Sequence, residues 1–189
     1  MVPFALLIAG ALERAAIVAS NGPSPRAPRS RFHPAAERFK NVLSTGLIRH
    51  YSGTCKAGVS ETCVTEGTEV MDWEATLYLH SADAEESARP PAQCEVRGHL
   101  VIEHAGDADL TPFLDSFDKL SRSAAPDRLF IGTPTNDAAD CLERMALLAR
   151  DRADGIHFAA LPIVATWNAP RPPVARIWVL ERGQWLGIS

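Results

Sequence analysis

The stretch "VMDWEATLYLH", residues 70–80, alternates without a break. Met71, Trp73, Ala75, Leu77 and Leu79 point one way; Asp72, Glu74, Thr76, Tyr78 and His80 point the other. A period of two over this length predicts a strand buried on one face. "QCEVRGHLVIEH", residues 93–104, repeats the pattern. Cys94, Val96, Gly98, Leu100, Ile102 and His104 share one face; Gln93, Glu95, Arg97, His99, Val101 and Glu103 share the other. The intervening "SADAEESARPPA" is acidic and ends in Pro-Pro, so an exposed loop joining an antiparallel pair is expected. Matching the apolar faces predicts Leu79 opposite Cys94, Leu77 opposite Val96, Ala75 opposite Gly98, Trp73 opposite Leu100 and Met71 opposite Ile102. Glu74 then meets His99, and Thr76 meets Arg97.

Within the second strand, "HLVIEH" (99–104) invites a zinc-protease reading. Helical zinc motifs put their histidines at i and i+4. Here the spacing is i and i+5, which on a strand sends His99 and His104 to opposite faces. No metal site is expected from it. Glu103, His104, Asp107 and Asp109 in "EHAGDAD" offer hard-cation ligands without the regular spacing of a calcium loop, and a solvated turn is the preferred reading.

Helices are expected at 34–45, 111–123 and 136–152. Pro34 suits a first turn and Gly46 a stop. Leu110, Phe113, Leu114, Phe117 and Leu120 form an apolar stripe, as do Ala138, Leu142, Met145 and Leu148. "DRLFIG" is a short apolar strand. The following "GTPTN" could hold an anion at a helix start, but capping by Thr133, Thr135 or Asn136 is preferred. "IHFAALPIVATW" is a nearly continuous apolar strand, and Pro162 within it implies a bulge or an edge. "VARIWVLERGQWLGIS" is a hairpin turning at Arg182-Gly183. The expected fold is therefore α+β: an antiparallel sheet of about five strands with three helices packed mainly on one face. This final hairpin resembles the tail of some NTF2-like cone domains, over about fifteen residues. The resemblance implies no site here.

The chain has 189 residues and a net charge of −4, which gives no global basic field for nucleic acid. Residues 1–12 are nearly all apolar, but Glu13 and Arg14 interrupt the run before the roughly 20 residues a membrane span needs. With the small residues "AIVAS" behind it, residues 1–20 resemble a signal peptide. No Lys or Arg precedes the run, and an amphipathic first helix is the competing reading. Residues 21–34 form a Pro/Arg-rich linker, and 35–189 a single domain. Three linker arginines could touch an anionic surface; simple solvation is preferred.

Four cysteines, Cys55, Cys63, Cys94 and Cys141, suit the disulfides of an exported protein, periplasmic or secreted. Pairings 55–63 and 94–141 are favoured among the three possible. No catalytic motif and no cofactor signature stands out. Two functions remain in view. One is an exported, disulfide-stabilised binding protein acting on a protein partner, as an inhibitor or immunity factor does. The other is a small enzyme, with an NTF2-like type of pocket, whose acid/base residues Glu74, His99 and His157 come from separated strands.

Overall fold

The computed structural model describes residues 4–20, 33–51, 53–57, 61–65, 68–79, 92–103, 109–134, 137–152 and 154–188. The chain opens with two helices, α1 (Phe4–Ser20) and α2 (Pro34–Tyr51). Strands β1 (Gly53–Ala57), β2 (Glu61–Thr65), β3 (Thr68–Leu79) and β4 (Ala92–Glu103) follow. Then come α3 (Thr111–Ser121), β5 (Asp127–Gly132), α4 (Ala138–Leu148), β6 (Ile156–Ala160), β7 (Arg176–Glu181) and β8 (Gln184–Gly187). All eight strands form one sheet in the order β1-β3-β4-β5-β6-β7-β8, with β2 also paired to β3.

The α+β class holds, but the sheet is mixed. Strands β4, β5 and β6 run parallel, joined by crossovers through α3 and α4, while the other pairs are antiparallel. β5 and β6 are buried along nearly their whole length. Continuous apolar strands of this kind are what a parallel centre covered on both faces requires. The helices divide accordingly. α3 and α4 cover one face, where Phe113, Phe117, Cys141 and Met145 pack on Phe130, Ile156 and Phe158. α1 and α2 cover the other, packed on Met71, Trp73, Leu77, Leu129 and Ile131. The expectation of helices mainly on one face is corrected: the molecule has three layers. The hairpin's likeness to NTF2-like domains does not extend into these parallel crossovers.

Residues 1–20, read from sequence as a signal peptide, supply α1, and its inner side is built into the core. Phe4, Ile8, Ala11, Leu12 and Ala15 are at most 1% exposed, among Phe39, Leu43 and Leu47 of α2. Most of the expected linker lies outside the described residues. α2 also runs past Gly46, the expected stop. A Cβ there would sit 3.0 Å from Leu7 Cδ2, so the glycine serves close helix–helix approach.

The β3–β4 pair has the predicted faces but a register shifted by two. Leu77 stands opposite Cys94, Ala75 opposite Val96, Trp73 opposite Gly98 and Met71 opposite Leu100. Irregularities fall at Glu69/Val70 and Leu77/Tyr78. The decisive contact is Trp73 on Gly98. A Cβ on residue 98 would lie 1.8 Å from the indole Nε1, so only glycine gives the ring room.

Strands β1 and β2 lie end to end along the edge of β3. Cys55 is opposite Leu77 and Cys63 opposite Val70. Seven residues of strand separate those partners, about 23 Å, whereas a disulfide holds Cα atoms roughly 4.4–6.8 Å apart. The 55–63 pairing does not fit this register. Cys94 and Cys141 are both fully buried but in core clusters on opposite faces of the sheet, so they do not bond each other. The error lay in taking both as lining one sheet–helix layer.

The C-terminal hairpin turns at Arg182-Gly183, as expected, with φ of 51° and 74°. Both are left-handed, as a tight hairpin turn requires. Asp154 Oδ1 accepts from Arg182 N–H at 2.8 Å and fastens the turn to the approach of β6. Pro162 lies just beyond the end of β6.

Candidate functional site

The α3 side of β3 and β4 is polar because the alternation that buries Trp73 and Gly98 sends Asp72, Glu74, Glu95, Arg97 and His99 the other way. α3 covers only part of this strip. His99 is 5% exposed, and its Nδ1 lies 2.7 Å from Asp72 Oδ1. An ionised carboxylate only accepts, so Nδ1 carries a proton on this contact, and in the neutral imidazole Nε2 then keeps the lone pair. Phe113 stands edge-on to the imidazole, with centroids 5.7 Å apart, and fixes the ring plane.

One register step along, Arg97 Nη2 pairs with Glu74 Oε2 at 2.5 Å, and its Nε lies 3.6 Å from Glu95 Oε1. The second distance exceeds hydrogen-bond length, and Nε makes no hydrogen bond among the described residues. Between this strip and α3 lies a cleft of about 380 Å³. Asp72, Glu74, Arg97, Asp115 and Lys119 line it, with Pro112 and Ser116. It presents carboxylates and cations together, a lining suited to a small polar ligand of mixed charge.

His99 is opposite Gly132, at the C-terminal end of β5. Ligand sites in sheets with parallel strands gather at those ends. Thr133, the next residue, is 3% exposed and donates its N–H to the His99 carbonyl at 3.0 Å. Its Oγ1 is buried with no hydrogen-bond partner among the described residues. It does not cap α4; Asp137 does, accepting from Ala139 N–H at 3.1 Å.

The three sequence candidates separate. Glu74 and His99 share the strip just described. His157 lies on the opposite face, aligned with Leu129 and Val179 and edge-on to Phe4 at 4.8 Å. It cannot join Glu74 and His99 in one site. Asp127, whose charge acts on His157, accepts from the Tyr51 hydroxyl at 2.5 Å. Burial, the Asp127 bond and the adjacent Cys94 thiol push the Tyr51 phenol far above its usual range.

Burial also pushes the His157 pKa below its ordinary 6.5, against the opposing pull of Asp127, the Gly155 and Arg128 carbonyls and Glu181. Below pH 6.5 the unfolded chain therefore binds a proton that the folded chain does not yet bind. The stability from neutral His157 is complete above that pH and is lost as the pH falls below it. His157→Gln should flatten the fall of Tm between about pH 7 and 5.5 relative to wild type, read by thermal melts at fixed ionic strength. An unchanged slope would contradict this.

Asp72 escaped the sequence reading as a site residue, because the two-residue register error gave His99 the wrong partner. Thr133 reads from sequence only as a capping candidate, a role Asp137 takes instead. In "EHAGDAD", positions 104–108 lie outside the described residues, as do residues 80–91, where an exposed loop was expected. Asp109 Oδ1 is occupied with the Thr111 N–H at 2.8 Å. Comparison with protein-family models, with curated proteins and with solved structures finds no match to this chain.

Proposed function

We propose that the cleft between α3 and the β3–β4 strip is an acid–base site acting on a small polar substrate. The observation that carries this is Asp72, which lines the charged cleft and holds the buried His99 behind it. An imidazole whose Nδ1–H is fixed on a carboxylate has Nε2 available as a general base, the orienting logic of nucleophile–base–acid arrays. Arg97 and Lys119 supply positive charge for an anionic group on the substrate; Glu74 and Asp115 supply negative charge for a cationic one.

The reading as an exported, disulfide-stabilised protein that binds a protein partner rested on the leader-like N-terminus and the cysteines. The buried α1 and the separated Cys94 and Cys141 weaken both supports. That reading is the one an inactive cleft would favour.

The test is a turnover screen of simple esters, phosphoesters and amides bearing charged groups, run on wild type, His99→Gln and His157→Gln. General acid–base groups contribute about 10²–10⁴-fold. A loss of that size in His99→Gln, with His157→Gln at wild-type rate, is expected. Equal rates in wild type and His99→Gln, or no turnover of any class, would overturn the proposal.

A further inference from the structure

The outer side of the α1–α2 layer has a chemistry the cleft does not use. A groove of about 610 Å³ runs between the two helices, lined by Arg14, Arg38, Arg49 and His50 with Asn41 and others. No carboxylate is among its lining residues. Along α2, positions 38, 45 and 49 fall on one stripe at helical spacing, so the two arginines stand at either end of the groove. Gly10 leaves it open: a Cβ there would meet nothing within 4 Å.

Apolar side chains flank these cations. Leu6 is 75% exposed and Ile17 is 51% exposed. Eleven residues apart, they lie on one stripe of α1. The outer side of α1 therefore carries exposed aliphatic side chains beside Glu13 and Arg14, the mixture of an interfacial helix face. Glu13, on the same outer stripe, is the one acid of α1; Glu37 on α2 is taken up by Lys40 at 3.0 Å. Charge is divided along the chain in the same sense. Residues 1–50 hold seven Lys/Arg against two Asp/Glu, net +5, and residues 51–189 hold twelve against twenty-one, net −9.

We infer that the α1–α2 face docks on an anionic phospholipid bilayer. Arg14, Arg38 and Arg49 would take lipid phosphates, and Leu6 and Ile17 would enter the acyl boundary, as in interfacial helices. A nucleic acid would share the phosphates but gives no use to two exposed aliphatic chains. Among the described residues no helix is long and apolar enough to cross a membrane, so the contact is peripheral. The net −9 portion is repelled by the same surface. That orients the molecule with α1–α2 down and the α3-side cleft facing water.

The test is co-sedimentation of the full chain with vesicles of phosphatidylcholine alone, or with about a third phosphatidylglycerol. Binding to the anionic vesicles only, weakened by raised salt, is expected. Each Lys/Arg near such a surface contributes about fivefold in partitioning, so R14Q/R38Q/R49Q should lose roughly 100-fold. L6S/I17S should lose the salt-resistant part, and E13Q should bind more tightly. E13Q keeps the test decisive if the triple variant misfolds. Equal binding to both vesicles, no binding, displacement by millimolar free glycerol phosphate, or arginine-dependent binding of RNA in place of vesicles would each overturn the inference.

Discussion

Removing residues 1–20 is expected to leave a chain that does not fold cooperatively. Phe4, Ile8 and Leu12 are at most 1% exposed and belong to the same core as Phe39, Leu43, Trp73 and Ile131. Truncating a buried Ile or Leu to Ala costs about 2–5 kcal/mol, and a Phe about 3–5. Losing all three approaches the whole stability of a typical domain, about 5–15 kcal/mol. The truncated chain should show no sigmoidal melt and poor amide dispersion by NMR. Ile8→Ala provides the graded control, with a cooperative melt shifted down by several degrees. A 21–189 protein melting within a few degrees of the full chain would show that α1 is dispensable to the fold, as a leader would be.

Gly98→Val is the point substitution expected to do most damage. The new side chain would begin 1.8 Å from Trp73 Nε1. Neither group can easily move: Trp73 is 3% exposed, and Gly98 pairs with it in the middle of two twelve-residue strands. Overpacking of this kind costs about 3 kcal/mol or more, read as a fall in the urea midpoint. Trp73→Leu should itself destabilise by opening a cavity. Combined with Gly98→Val it should cost less than the sum of the two. Contacting residues are expected to couple by about 0.5–3 kcal/mol. Additive losses would mean that the two side chains do not compete for the same space.

The sheet faces were legible because alternation is local, and β3 and β4 are long enough to display it. Their register was not. Apolar matching accepts shifts of two, and the choice was made by Gly98 beneath Trp73 and by two irregularities that no composition marks. Parallel pairing at the centre was visible in principle. "DRLFIG" and "IHFAA" are apolar on both faces, and each follows a helical stripe, which is the pattern of a parallel crossover. Reading the sheet as antiparallel put all helices on one side, and that single error placed Cys94 and Cys141 in one layer. The edge strands β1 and β2 carry few apolar residues, so periodicity could not find them. Of the site, His99 and Glu74 were legible as polar residues on one strand face. The Asp72–His99 contact depends on register and was not.

In the proposed acid–base site, Asp72 fixes the His99 proton on Nδ1 and leaves the lone pair on Nε2. Ring-nitrogen NMR of 15N-histidine-labelled protein, at a pH where free imidazole is neutral, reads this directly. Assignment comes from the signal lost in His99→Gln. A protonated Nδ1 and an unprotonated Nε2 are expected in wild type. In Asp72→Ala the proton should move to Nε2, the tautomer that imidazole prefers without an acceptor at Nδ1. The same tautomer in both proteins, or Nε2 protonated in wild type, would contradict it.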